Sequence, residues 1–392
     1  MRSIRELKIE GKRVLIRVDF NVPMDEAGNI TDNIRIRTVL PTIDYALEKK
    51  ARVILCSHRG RPGGKRVETL SLAPVARELA RLLNRDVRMA PDCVGPETVA
   101  LVSRMNDGEV VLLENLRFHE GEQANDPEFS RQLAALAEVY VNDAFAVSHR
   151  AHASVAGVAA HFAEKGAGLL LQKEMEYFHR SMDDPVRPLA AIVGGAKVSS
   201  KLAALENMLA KVDRLLIGGA MANTFLKAQG YDVGGSKTED DLLEAAAGIL
   251  ARAREKGVKV YLPVDVIVGD RFAADAVIKQ VTVQDIPPGW MALDIGPATV
   301  LVFSEALADA RTIVWNGPVG AFEMDAFSRG TMALATVVAS AHALSITGGG
   351  DSNAAVLKSG EAENISYMST GGGAFLALME GKTLPGVAAL ES

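Results

Sequence analysis

Charged and amide side chains gather where apolar runs stop in the first 150 residues. Asp19 and Asn21 follow a run that ends at Val18, within Arg17-Val18-Asp19-Phe20-Asn21-Val22-Pro23. Ser57-His58-Arg59-Gly60-Arg61-Pro62 follows a second run, and Glu114-Asn115-Leu116-Arg117-Phe118-His119 a third. Ser148-His149-Arg150-Ala151-His152 comes shortly after a fourth. Guanidinium forks match the oxygens of carboxylates and phosphates, while Asp19 and Asn21 suit hydroxyl groups. Basic groups at successive strand ends make one face, fitted to a small ligand that carries a phosphate and a carboxylate. The distribution of cations agrees: residues 1–150 hold 18 arginines and 5 lysines, residues 151–392 hold 8 and 12. His149 and His152 have the spacing of a ligand pair, but no third ligand accompanies them, so they are not read as a metal site.

The second half carries a different chemistry. Apolar runs there lead straight into glycine, in Val193-Gly194-Gly195-Ala196-Lys197, Ile217-Gly218-Gly219-Ala220-Met221, Thr347-Gly348-Gly349-Gly350-Asp351-Ser352 and Ser369-Thr370-Gly371-Gly372-Gly373. Glycine lets a backbone approach a phosphate, and a helix that starts there presents free amides to it. One such loop is only a tight turn; four together point to an anion or nucleotide site. The chain has no G-x-G-x-x-G, which argues against a dinucleotide dehydrogenase. Gly381-Lys382-Thr383 resembles the end of a phosphate loop, but the required glycine position is Leu376 and the segment follows a helix. Met221 and Phe225, at helical spacing, read as core, and Asp265 as a turn cap.

These residues need elements to position them. Strands are expected over residues 13–18, 52–56, 109–113 and 139–141, with helices between. One helix takes Ser71 as N-cap with Pro74 in its first turn; another takes Asp126 as N-cap with Pro127 at the first position. The pattern restarts with strands over 189–193, 215–217, 258–262, 312–315 and 344–347. Strand–helix alternation implies parallel sheets covered on both faces, and in such sheets ligands bind beyond the carboxyl ends of the strands. A helix over 169–180 lies near the expected boundary. The fold class is α/β, with two doubly wound parallel-sheet domains.

The 392 residues suit two domains. A hydrophobic share of 48% and a charged share of 23% are those of a globular protein, and a net charge of −6 disfavours general nucleic-acid binding. Two cysteines, Cys56 and Cys93, make no disulfide framework and fit a reducing compartment. No apolar stretch is long enough to span a membrane, and the first residues show no signal core. The cytoplasm is the expected location.

At this point the chain resembles the phosphoglycerate kinase family over essentially its whole length. Residues 17–23, 57–62, 113–119 and 149–154 are similar to that family's substrate motifs, in its order. Residues 194–201, 218–227, 315–323, 348–352 and 369–374 look like its nucleotide and catalytic-loop motifs, and 380–387 like its C-terminal signature. The resemblance implies two Rossmann-like domains facing across a cleft. A phosphoglycerate-binding domain would span 1–167, a hinge helix 168–185, a nucleotide-binding domain 186–374, and a segment at 375–392 would return to the first domain. It implies that Asp19, Asn21, His58, Gly60, Arg61, Arg117 and Arg150 bind the substrate and that Arg35 reaches the transferring phosphoryl. Arg59 is included among the substrate contacts, although the family's commoner stretch has leucine there. It further implies nucleotide contacts from Lys197, Lys201, Gly195, Gly219, Asn316, Glu323, Gly349, Gly350, Asp351 and Ser352. Asp351 would hold Mg²⁺, and Arg35, Lys197, Gly372 and Gly373 would act on the transition state. The implied reaction exchanges a phosphoryl group between 1,3-bisphosphoglycerate with MgADP and 3-phosphoglycerate with MgATP, by a monomer that bends at its hinge. The competing readings are a different acyl-forming kinase, opposed by residues 17–23 and 57–62, and a non-catalytic nucleotide binder, opposed by Arg35, Lys197 and Asp351.

Overall fold

Short apolar runs that can be buried on both faces become the central strands. The computed structural model describes residues 1–392 and divides into two units, Met1–Met175 with Thr383–Ser392, and Glu176–Lys382.

The first unit is built on six parallel strands: β1 (Arg13–Arg17), β2 (Arg52–Cys56), β3 (Val87–Met89), β4 (Val110–Leu112), β5 (Val139–Asn142) and β6 (Lys165–Ala167). Their order is β3-β4-β2-β1-β5-β6. Arg17 is level with Cys56 on one side and Asn142 on the other. The loops after β2, β1 and β5 therefore leave the sheet side by side. The helices are α1 (Ile34–Glu48), α2 (Ala73–Leu83), α3 (Pro96–Ser103), α4 (Glu120–Ala124), α5 (Pro127–Ala134) and α6 (Leu169–Phe178). Asp126 caps α5 as expected, its carboxylate accepting from Phe129 N at 2.8 Å. The cap of α2 differs from expectation. Leu72 takes the N-cap position, and the buried Glu114 carboxylate accepts from Leu72 N at 2.9 Å and from the Ser71 hydroxyl at 2.7 Å. Ser71 still accepts from Ala73 N, at 3.2 Å. The acceptor that anchors this helix start thus comes from a distant strand end.

The second unit contains β7 (Leu189–Val193), α7 (Leu202–Met208), β8 (Arg214–Ile217), α8 (Ala220–Ala228), α9 (Leu243–Glu255), β9 (Lys259–Tyr261), β10 (Asp265–Gly269), β11 (Ile278–Thr282), β12 (Met291–Ile295), α10 (Pro297–Leu307), β13 (Thr312–Asn316), α11 (Arg329–Ser340), β14 (Leu344–Thr347), α12 (Gly350–Ser359), β15 (Tyr367–Met368) and α13 (Gly372–Met379). Its six-stranded parallel sheet runs β15-β14-β13-β7-β8-β9. Val193 is level with Asn316 and with Ile217, and Trp315 with Thr347. The glycine loops therefore emerge at the carboxyl ends of the strands.

Three features differ from the sequence reading or add to it. A three-stranded antiparallel sheet, β11-β10-β12, is added to the second unit. Helix α6 ends at Phe178 and continues as one wider turn, a π-helix over His179–Asp183. Asp265 is the first residue of β10, and its carboxylate accepts from Ala298 N and Thr299 N at the start of α10.

The last helix, α14 (Pro385–Glu391), belongs to the first unit. Gly386 N donates to Ser148 O at 2.9 Å, and Asn142 Nδ2 donates to Gly386 O at 3.3 Å.

Candidate active site

In the first unit the strand ends bring basic side chains together. Arg17, the last residue of β1, is buried with three partners. Its Nε donates to Ser154 Oγ at 2.8 Å, another nitrogen to Val18 O, and Nη2 to His58 Nδ1 at 3.2 Å. An arginine only donates, so His58 Nδ1 accepts and the ring proton sits on Nε2. Burial, then the charges of Arg17, Arg117, Arg150 and Arg35, hold His58 well below the usual histidine range. The ring is therefore a neutral donor. His152 is pulled to about 4 by burial and by Arg117, Arg17 and Arg150. Burial, then Arg150 and Arg17, lowers Arg117 to about 10. The charges of Arg17, Arg35, Arg117 and Arg150 thus all bear on His58.

Two carboxylates face this charge. Asp19 accepts from Arg35 Nη1 and, at 3.1 Å, from Asn21 N. Glu122, fully buried, accepts from Ser154 Oγ at 2.6 Å and Ser154 N at 2.9 Å. Four guanidiniums against two carboxylates leave surplus positive charge, which an anionic ligand would neutralise. Asn21 Oδ1 accepts from Gly60 N at 3.0 Å, and Arg117 Nη1 donates to Gly60 O at 2.7 Å, so the Gly60 peptide ties the two loops together.

Of the remaining expected residues here, Arg61 is exposed. Arg59 is turned elsewhere: its Nη1 donates to Thr69 O at 2.7 Å and Ser71 O at 3.2 Å, so it clamps the turn before α2. Arg17, His149 and His152 were not assigned roles from sequence, yet they share this cluster.

In the second unit a cavity of about 470 Å³ is lined by Gly195, Gly219, Phe272, Met291, Glu323 and Asp351, among others. Three helices begin around the glycine loops: α8 after Gly219, α12 after Gly349 and α13 after Gly371, none with a side-chain cap. At α12 and α13 the first amides are free to bind phosphate oxygens, whereas in α8 Met221 N already donates to Gly195 O and Ala222 N to Gly219 O, each at 3.0 Å. Gly219 has φ +67°, and an added Cβ would lie 2.7 Å from both Gly195 N and Gly195 O. Two loops thus touch backbone to backbone at that point. Likewise, a Cβ on Gly372 would lie 2.8 Å from Gly349 Cα.

The expected nucleotide residues fall into two groups. Lys197, Glu323, Gly350 and Asp351 are exposed. Asn316, Ser352 and Lys201 lie beneath the loops and hold them. Asn316 Nδ2 donates to Gly348 O at 2.7 Å, and Ser352 Oγ accepts from Gly317 N at 2.6 Å. Lys201 Nζ donates to Gly194 O at 2.6 Å and Asn316 O at 2.9 Å. Burial lowers this lysine to about 8, with Asp351 opposing. Lys237 also lines the cavity and was missed, because a lone lysine on a loop carries no local signal.

The phosphoglycerate kinase family model matches residues 4–382. The phosphoglycerate kinase of Desulfotalea psychrophila is 68% identical over 392 residues, covering 100% of both chains. That of Geobacter metallireducens is 57% identical, covering 100% of this chain and 98% of its own. The solved phosphoglycerate kinase structure from Coxiella burnetii superposes with a TM-score of 0.92 at 46% identity, covering 100% of this chain and 98% of that one. The structure from Pyrococcus horikoshii gives a TM-score of 0.82 at 32% identity, with coverage of 100% and 98%.

Proposed function

The chain belongs to the phosphoglycerate kinase family, and from that premise we propose how its own residues carry the reversible transfer of a phosphoryl group between 1,3-bisphosphoglycerate with ADP and 3-phosphoglycerate with ATP. The observation that carries the reading is the convergence of Arg17, Arg35, Arg117 and Arg150 around neutral His58. Such a site suits a molecule with a phosphate at one end and a carboxylate at the other. Asp19 and Asn21 hold its hydroxyl and carboxylate region, and Arg61, exposed beside them, reaches the phosphate.

In the second unit the nucleotide occupies the cavity beside Gly195 and Gly219, with Glu323 accepting from the ribose. Amides at the starts of α12 and α13, including Gly349, Gly350, Gly372 and Gly373, bind phosphate oxygens. Asp351, an exposed carboxylate in the first turn of α12, fits Mg²⁺, which takes one or two carboxylates together with phosphate oxygens and water. When bound, Mg²⁺ neutralises charge on the β- and γ-phosphates.

The substrate carboxylate is already ionised, so its attack on phosphorus requires no proton removal and no general base. Catalysis is then positioning and charge stabilisation. Arg35 and Lys197 act on the equatorial oxygens of the phosphoryl group in flight, together with the α13 amides. Lys201 supports the loop from below, and Asn316 and Ser352 keep the glycine loops in register.

All of these residues come from one chain, which supports a monomer as the working species. Few and buried cysteines support a cytoplasmic setting, and no helix is long and apolar enough to cross a membrane. Segment 168–185 and the crossing near 382 serve as bending points. A coupled assay with 3-phosphoglycerate and ATP tests the reading: turnover is expected, and it should vanish when divalent cations are chelated. Protein that binds both ligands without transferring phosphoryl would refute it.

A further inference from the structure

The geometry points to a second, separate metal site in the first unit, formed by Asp92, Cys93 and His119 and suited to one zinc-class divalent cation. Each residue offers one ligand atom, and these atoms lie within 4.8 Å of one another. No short sequence motif joins them. The register of the sheet does: β3 pairs in parallel with β4, Met89 level with Leu112, and the loops that follow carry Asp92 and Cys93 from one strand and His119 from the other.

The ligands are braced by neighbouring groups and by one another. Thr98 Oγ1 donates to Asp92 O at 2.9 Å, Cys93 N donates to Asp92 Oδ1 at 2.6 Å, and the His119 ring packs on Phe129 with centroids 5.3 Å apart. His119 Nε2 sits 2.7 Å from Asp92 Oδ1, a contact that an ion would replace by bonding to both. Tetrahedral bonds of about 2.0–2.3 Å set ligand atoms roughly 3.5 Å apart, so small side-chain rotations complete the cage. Cys93 is fully buried, while the Asp92 and His119 side chains are 41% and 32% exposed, so an ion enters from solvent and meets the thiol last. Arg66, the nearby cation, is paired with Glu68 at 2.7 Å.

Thiolate, imidazole and carboxylate together select zinc and its neighbours over magnesium, which prefers oxygen alone. The thiol proton leaves to solvent as the sulfur–metal bond forms. Three protein ligands leave the fourth position to water. This site is independent of the nucleotide metal proposed at Asp351.

Cobalt(II) is the probe, since its spectrum reports both geometry and thiolate ligation. Apo protein titrated with Co²⁺ should take up one ion, with the visible bands of four-coordinate cobalt and a near-ultraviolet thiolate-to-cobalt band. Zn²⁺ should displace it. Because the chain has only two cysteines, Cys56→Ser should keep the charge-transfer band and Cys93→Ser should lose it. Should Cys93→Ser fail to fold, the half-exposed His119→Gln and Asp92→Asn carry the test. Each should weaken Co²⁺ binding by at least the roughly 10–100-fold that loss of an outer-shell partner costs, while Asp351→Asn leaves it unchanged. Absence of the charge-transfer band in the parent protein, its persistence in Cys93→Ser, or unaltered affinity in both other variants would overturn the site.

Discussion

Replacing Lys197 by alanine is expected to lower kcat about a hundredfold or more while KM for both substrates changes little. An exposed ammonium proposed to follow the phosphoryl group would stabilise the transition state more than the ground state, and removing one such charge costs on the order of 3 kcal/mol. Steady-state kinetics decide it, and a variant with near-normal kcat would remove Lys197 from the mechanism. Lys197 could be singled out because it ends a strand–glycine–helix signal. Arg61 and Arg117 were legible for a similar reason, as charges just after an apolar run. Arg17 was not given a role, since it completes a strand and is buried. What meets it lies 41 and 137 residues away in the chain, His58 and Ser154. The resemblance implied nucleotide contacts from Asn316 and Ser352, and within the protein their hydrogen bonds run to the backbone of neighbouring loops.

At the scale of elements, the glycine loops separate into two kinds. Gly219→Ala would force a side chain into a positive φ and against Gly195 backbone that cannot retreat. It should cost about 1–3 kcal/mol in stability, measured by chemical denaturation, and weaken nucleotide binding as well. Gly350 opens α12 with nothing within 4 Å of an added Cβ. Gly350→Ala should fold with equal or slightly greater stability, yet raise KM for ATP, because the methyl group would stand where the proposed phosphate contact lies. Unchanged KM would show that the α12 start does not contact the nucleotide. A buried acid gives a pH test. Asp143 accepts from Leu171 N at 3.0 Å in the first turn of α6, and burial raises its carboxyl to about 7. A folded-state pKa above the unfolded one means that the native state holds the proton more tightly. Stability from this group is complete below the ordinary carboxylate range and is lost as pH rises through about 7. Urea denaturation should show a decline from about pH 4 to about pH 7, of at most a few kcal/mol for one group. Asp143→Asn should lessen that decline without abolishing it, since Asp294 is shifted the same way; an unaltered slope would count against it. The central strands were readable because both faces are apolar. β11, largely exposed, lacks alternation, and β3, β6 and β15 are only two or three residues long, too short to establish a period. The exposed antiparallel strand and the shortest parallel strands therefore gave no pattern, while the central strands of the two parallel sheets were plain.

For the whole molecule, the proposed substrate side chains lie in one unit and the proposed nucleotide loops in the other. Reacting atoms must come within about 3–3.5 Å, and water must be kept from an acyl phosphate. A single ligand touches mainly one unit and so has little differential affinity for a closed state. Small-angle scattering should show a smaller radius of gyration with both ligands, or a transition-state mimic, than with either alone. Identical values in apo, singly and doubly liganded protein would rule out bending as part of the cycle. The two-unit division also has a consequence for biosynthesis. Met1–Met175 leaves the ribosome first, yet α14, which covers Asn142 and Ser148, is translated only after all of Glu176–Lys382. The later unit is continuous in sequence and can mature while still tethered. The earlier one must wait with an uncovered patch, so between its emergence and the docking of α14 the nascent chain presents a surface that chaperones can recognise and that the finished enzyme conceals.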